Sequence, residues 1–443
     1  MKLRFFALLV APIAVAARVI DFEVDAGGIV DLDDDATAMK NGALMNSTFA
    51  SLTSGDTLIF PNKTFHVMGG IMVNSMKDVT ISFDGTLVFS NNIDLWPKEA
   101  NGNVFECLHF DQPENVIFTS SGKGTLDGRG KKWWGLPGIG YLERAENRPR
   151  LFSMGSAKNV KVENILFKNS PYWTFWAPGA DGLEISHCDI FASREDKPTG
   201  HGGLELTAFN TDGFDVTGND VWMHDLNIWN QDDCVAVKDG SSNMLIERIT
   251  ASGVGLTIGS IGGTHVKNIT FRDIYMPHTY KGIYMKFRED GGDGLVEDIT
   301  YENIWIESPE QWPIWIGPAQ QSDSNNPCAA HPCSLCWPDV PFAKCDPDAS
   351  KYLNILLKNV TINNADYSPG VILANSTNPA ENITFVDVVY KNPKKRPTHG
   401  KDYYVCDGVK NAVARGKTFP VPKCFIDETD STLAERGLEE DKR

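Results

Sequence analysis

The sequence lacks a basic surplus. Its 41 Lys and Arg face 58 Asp and Glu, a formal net charge of −17 over 443 residues. A chain this acidic is a poor match for nucleic acid or for an anionic membrane surface. Beyond the first residues no run of ~20 apolar side chains is present to span a bilayer as a helix. The central stretch lacks a 3.6-residue period, which argues against a helical array. The Gly-rich segment at Gly253–Ser260 has no Walker lysine, so it is not a phosphate loop. EF-hand spacing is missing as well. No cofactor motif or metal-ligand pattern stands out, and we expect neither a cofactor nor a metal. What is abundant is Gly, at 39, and Trp, at 11. The first implies many turns; the second suits both cores and sugar faces. With 42% hydrophobic and 22% charged residues the composition is globular.

Lys2 and Arg4 precede an apolar stretch, Phe5 to Ala11, and Ala14-Val15-Ala16 is a small-x-small site. This pattern predicts a signal peptide over residues 1–17 and a secreted, extracellular protein. Six N-x-[ST] sequons, at Asn46, Asn62, Asn268, Asn359, Asn375 and Asn382, fit that compartment. So do nine cysteines, an odd number that leaves at least one thiol over. Cys328, Cys333, Cys336 and Cys345 cluster in a Pro-rich insert, where local disulfides are favoured over zinc. Cys406 and Cys424 are expected to clip the C-terminal region.

From about residue 75 one phrase recurs: a polar Asn- or Asp-containing step, a short β-like run, a second run, then Asn or Asp again. "KNVKVENILFKNS", "HVKNITFRDIYM" and "LVEDITYENIWI" are examples. Val160 to Leu183, Val221 to Leu245 and Ile246 to Ile269 mark a period in the low twenties. Short Val/Ile-rich strands at that period form one supersecondary unit each, which buries its inner face only by stacking. A propeller blade needs about 40–50 residues, and a leucine-rich repeat needs an absent L-x-x-L-x-L signature. The expected fold is therefore all-β: a single-stranded parallel β-helix over residues 18–426. A short helical cap falls within residues 18–60, and residues 427–443 form a charged tail. A monomer is expected.

Asn210-Thr211-Asp212-Gly213 and Asn230-Gln231-Asp232-Asp233-Cys234 lie twenty residues apart, close to one coil. The three carboxylates would then stack on one face, where they cannot all ionise freely. Such a group offers a protonated acid and an ionised base at one pH, as glycoside hydrolysis requires. Asn210, Asp215, Asn219 and Asp220 also read as turn residues. Farther on, Tyr284, Lys286 and Arg288 alternate on one face of a presumptive strand, where cations and a ring would suit an anionic sugar. The partner so implied is an anionic sugar polymer.

These motifs resemble glycoside hydrolase family 28, the polygalacturonase family. The resemblance rests on N-T-D at Asn210–Asp212, Q-D-D-C at Gln231–Cys234, G-x-G-L-T-I-G-S at Gly253–Ser260 and the strand Tyr284–Lys286. "GTLDGRGKKWW" (Gly124–Trp134) and "NSPYW" (Asn169–Trp173) support it, over roughly residues 75–400. It implies a right-handed β-helix, hydrolysis with inversion, and as partner an anionic plant or algal cell-wall polysaccharide with galacturonan-type α-1,4 linkages. By motif position, Asp232 would donate the proton, while Asp212 and Asp233 would hold and activate water. Lys286 would bind a substrate carboxylate, with Tyr284, Arg288, Asn210 and Gln231 as further substrate contacts.

Two positions depart from the pattern: Val254 stands where His is usual and Tyr284 where Arg is usual. No partner for Cys234 occurs shortly before the G-x-G. The alternatives are a rhamnogalacturonan- or xylogalacturonan-directed hydrolase of the same family, and a catalytically impaired carbohydrate-binding β-helix. Tyr172, Trp173, Trp176, Trp312 and Trp315 are candidate stacking rings, and strand alternation would face the last two oppositely. Lys286, Arg288 and Lys238 would supply the local positive patch that a −17 chain needs to hold a polyanion.

Overall fold

The structure, a computed structural model, describes residues 16–135, 147–194, 208–289, 293–321, 326–347, 349–394 and 403–430. Most of the expected signal peptide and most of the charged tail lie outside the described residues, as does His201.

Short alternating strands wind into a parallel β-helix, with 29 strands joined in one sheet among the described residues. One inward column shows how the coils stack. Leu183, Val221, Met244, Ile269, Ile299, Ile355 and Ile383 follow one another in register, all buried. Val160 pairs with Leu183 as the repeat predicted. The other two intervals need correction: Val221 pairs with Met244 rather than Leu245, and Ile246 with Phe271 rather than Ile269. Leu245 points outward and is half-buried. Apolar residues stand on both faces here, so hydropathy alone does not set the register, and a one-residue slip exchanges the faces.

The recurrent Asn and Asp residues sit at turns with positive φ, which these side chains tolerate better than most. Asp273, Asn303 and Asn359 are successive examples. Asn303 Nδ2 donates to Asp273 Oδ1 at 2.8 Å, and Asn359 Nδ2 donates to Asn303 Oδ1 at 2.9 Å. The sequon residues Asn268, Asn359 and Asn382 are exposed at such turns.

A helix, Asp35–Ser51, closes the N-terminal end. Asp34 caps it by accepting the Thr37 N–H at 2.8 Å, and Asp35 favours the positive end of the helix dipole. Its buried face includes Ala38, Met45 and Phe49, with Phe49 packed edge-on to Phe110 at 5.6 Å. At the other end, Ile426–Thr429 pairs with Val413–Gly416, so the β-helix continues past residue 426. Disulfides join Cys328 to Cys336, Cys333 to Cys345 and Cys406 to Cys424. Cys107, Cys188 and Cys234 are free and buried.

Candidate active site

The two acidic turns lie on neighbouring coils. Asn210–Gly213 leads into the strand Phe214–Trp229, and Asn230–Asp232 leads into Asp233–Val237. Phe214 pairs with Val235, and the Gly213 N–H donates to the Asp233 carbonyl at 2.8 Å. Gly213 is required by this approach, because a Cβ there would sit 2.2 Å from the Cys234 carbonyl oxygen. Asn230 Nδ2 ties the turns together, donating to the carbonyls of Thr211, Asp232 and Asp233 at 3.0, 3.0 and 2.9 Å. Asp212, Asp232 and Asp233 each bring a carboxylate oxygen within 4.8 Å of the others, and all three are buried.

Their surroundings differ. Asp233 Oδ1 accepts from Thr257 Oγ1 at 2.6 Å, and its Oδ2 accepts from Lys286 Nζ at 2.9 Å. Both oxygens are thereby held in the form that suits a carboxylate anion. Asp232 Oδ1 accepts the Asp233 N–H at 2.8 Å, and Oδ2 faces the Asn210 N–H at 3.2 Å. Burial, then the Asp233 charge, pushes Asp232 up to about 6 against the pull of Lys286. Asp212 Oδ1 is buried without a hydrogen-bond partner. Burial, Asp232 and Asp215 together drive that carboxyl well above the usual range. Within the trio, Asp212 and Asp232 are thus pushed toward their protonated forms, while Asp233 is the one held by a hydroxyl and an ammonium. These three residues have the donor set of a cation site, but the Lys286 ammonium already meets Asp233.

A model of the family described as glycosyl hydrolases family 28 matches residues 55–412. The chain belongs to this family. It is a glycosidase. It is 25% identical over 393 residues to an exopolygalacturonase of Cochliobolus carbonum, covering 83% of this chain and 81% of that one. It is 30% identical over 299 residues to endopolygalacturonase I of Aspergillus aculeatus, covering 66% and 72%. The fold is shared with the exopolygalacturonase of Thermotoga maritima, at a TM-score of 0.62 and 16% identity over 90% of this chain and 92% of that one. Endo-xylogalacturonan hydrolase from Aspergillus tubingensis matches at a TM-score of 0.57 and 19% identity, over 93% and 99%.

Within this family 28 chain, the two supporting motifs also meet. Trp134 Nε1 donates to the Ser170 carbonyl at 3.0 Å, on the neighbouring coil. Arg148 then links that coil to the acidic turn. Its Nη1 donates to the Pro171 and Phe209 carbonyls at 3.1 and 2.9 Å, and its Nη2 to Asn210 Oδ1 at 3.1 Å. Asn210 is thus a prop between Arg148 and Asp232. Gln231 is buried and donates through Nε2 to the Ala192 carbonyl at 3.2 Å.

The expected positive patch is largely spoken for. Lys286 pairs with Asp233, Lys238 with Asp215 at 2.8 Å, and Arg288 with Asp239 at 2.8 Å. Arg288 also donates to the Ser260 carbonyl at 3.0 Å, so it fastens neighbouring turns. For Lys286 and Lys238, 12% and 20% exposed, burial favours the pairing, since a desolvated cation is stabilised by a counter-charge. Asp215 is a correction: it is a fully buried strand residue beside Lys238, not a turn residue.

Tyr284 is buried in an apolar wall with Val254, Trp312 and Trp315. Its ring lies 4.3 Å from Lys286 Nζ, and its hydroxyl accepts the Gln320 N–H at 3.2 Å. Trp312 and Trp315 do not face oppositely. Trp312 precedes the strand Ile314–Pro318, so strand alternation does not govern it, and the rings pack 5.3 Å apart, both buried. Tyr172 is buried as well, whereas Trp173 and Trp176 remain partly open beside Arg150, 4.6 and 4.2 Å from its guanidinium carbon.

Sequence reasoning missed Thr257, Arg148 and Lys281. Thr257 lies inside the quoted G-x-G-L-T-I-G-S motif, and a register through Thr257 and Tyr284 would have exposed it. Nothing local marks Arg148.

Proposed function

We propose that this chain is a secreted hydrolase of galacturonan-type α-1,4 linkages in pectin, acting with inversion. Asp232 is the general acid. Its environment keeps it protonated in mild acid, so it can protonate the leaving oxygen. Asp233 is the anionic base, and Asp212 orients the water between them. The observation that carries this reading is the division within one trio: both Asp233 oxygens are engaged by Thr257 and Lys286, while Asp232 and Asp212 are pushed upward. Lys286 stands where it can also meet a substrate carboxylate, at the edge shared with Tyr284. The polygalacturonase names of the relatives support a pectic substrate. The basic and apolar start of the chain supports export.

The test uses wild type and Asp232→Asn on polygalacturonate, rhamnogalacturonan and xylogalacturonan. Reducing ends are measured, and NMR reads the first-formed anomer. The proposal expects polygalacturonate to be the best substrate, a β-anomer from the α-linkage, and loss of turnover in the variant. An initial α-anomer would establish retention. No product from any of the three would remove the hydrolase reading.

A further inference from the structure

Four cations approach the Asp233 side of the site, and three of them have carboxylate partners: Lys286, Lys238 and Arg288. The fourth, Lys281, does not. Its residue is 3% exposed, and among the described residues no carboxylate lies within ion-pair distance. Lys281 Nζ instead donates to the side-chain oxygens of Gln311 and, at 2.7 Å, Gln320. The rings of Trp315 and Tyr284 lie 4.9 and 5.0 Å away, with Trp312 at 5.5 Å and Tyr280 at 5.8 Å. Burial pushes both Tyr280 and Tyr284 up, so neither supplies a phenolate to neutralise it.

A buried cation without a counter-charge is expensive, and a well-packed apolar residue of similar volume usually does as well for stability. Packing alone therefore does not account for a lysine at this position. The reason lies one ring away. Tyr284 is shared: Lys281 approaches its ring at 5.0 Å and Lys286 at 4.3 Å, and Lys286 holds Asp233. Gln320 closes the circuit, accepting from Lys281 through its side chain and donating its backbone N–H to the Tyr284 hydroxyl.

We propose that Lys281 is a positioning residue of this hydrolase: an unpaired buried cation that fixes the Tyr284 ring and adds its charge to the Lys286–Asp233 side of the site. It deepens the hydrolase reading above and rests on it. The positive charge that Tyr284 cannot carry enters from beneath the wall, at a residue the substrate does not touch. The groups that feel it are Lys286, Asp233, Asp232 and the two phenols. Burial and Lys286 both push the Lys281 amine well below ordinary lysine, and Asp233 pulls it back. The charge is therefore most complete in acid.

Two variants of the full chain test this. Lys281→Met removes the charge and keeps an unbranched stem inside the ring cage. Gln311→Glu keeps Lys281 and its oxygen acceptor, gives up the amide hydrogen bond to Tyr280, and supplies a carboxylate that cancels the Lys281 charge. Both are expected to lower kcat/KM on polygalacturonate by about tenfold, from the loss of a unit charge acting through protein on the neighbouring carboxylates. The loss falls mainly on kcat, and the pH–rate limbs move upward, because removing a cation makes neighbouring carboxylates harder to ionise. Melting and circular dichroism report folding. A purely structural role would lower stability without moving the pH profile. Wild-type kinetics and pH profile in folded Gln311→Glu would overturn the proposal, whether or not Lys281→Met folds. Should wild type itself be inactive on every pectic substrate, the hydrolase reading fails first, a distinguishable outcome.

Discussion

The two flanks of the acidic trio use the same kinds of residue to opposite ends. Toward the N-terminal coils, Arg150 and Lys238 lie beside Trp173 and Trp176, and both indoles are partly open. Toward the C-terminal coils, Lys286 and Lys281 lie against Tyr284, Trp312 and Trp315, and those three rings are buried. On the first flank the indoles are partly open to a ligand, while both cations are already paired, Arg150 with Glu106 and Lys238 with Asp215. On the second, rings and cations form a closed wall beside Asp233. The electrostatic problem posed by a −17 chain is thus met locally, by cations placed behind and beside the carboxylates rather than by an open basic surface.

The largest effect is expected at the trio itself. Asp232→Asn should lower kcat by about 10²–10⁴-fold, the usual worth of a general acid, with KM little changed. A fall of only a few fold would move the acid elsewhere.

Lys286→Met comes next. It leaves Asp233 buried without its cation, which costs about 3–5 kcal/mol when one partner of a buried pair is removed. Denaturant unfolding should show that loss, together with a large fall in turnover. Lys281→Met, on the same wall, should show no comparable loss of stability; equal losses would erase the distinction between a paired and an unpaired lysine.

How much of this was legible in the sequence depends on distance along the chain. The coil period was readable because turns recur with Asn and Asp, and Val160 meets Leu183 as expected. The register failed at Leu245 and Ile246, where apolar residues occupy both faces. The carboxylate trio was readable because each acidic turn is a local phrase and the two sit one coil apart. Its supports were not. Arg148 reaches Asn210 across 62 residues, and Lys286 reaches Asp233 across 53, so these partnerships exist only once the coils are in register. Trp312 misled because it lies just before the strand, where alternation does not apply.

A smaller effect is expected from Thr257→Val, which removes the hydroxyl on Asp233 Oδ1 at nearly constant volume. A hydrogen bond to a charged group is worth about 1.5–3 kcal/mol, so kcat/KM should fall by about ten- to a hundred-fold. On the open flank, Trp173→Ala should raise KM by about three- to tenfold through lost ring contact, with kcat nearly intact. A kcat effect there would contradict the division between flanks.

Stability should also depend on pH through Asp232. Its folded-state value is raised to about 6 from an ordinary carboxylate value. The group therefore contributes stability while protonated in both states, and that contribution is lost as pH rises through about 4 to 6. Across that window the loss is about 3 kcal/mol, to which Asp212 adds in the same direction. Asp232→Asn should flatten this part of the curve in melting experiments between pH 4 and 7.

The pH dependence of kcat/KM on polygalacturonate tests the division of protons most directly. Activity is expected to decline on the alkaline side with a limb near pH 6, as the Asp232 side of the trio loses its proton. Full activity maintained through pH 8 would contradict it.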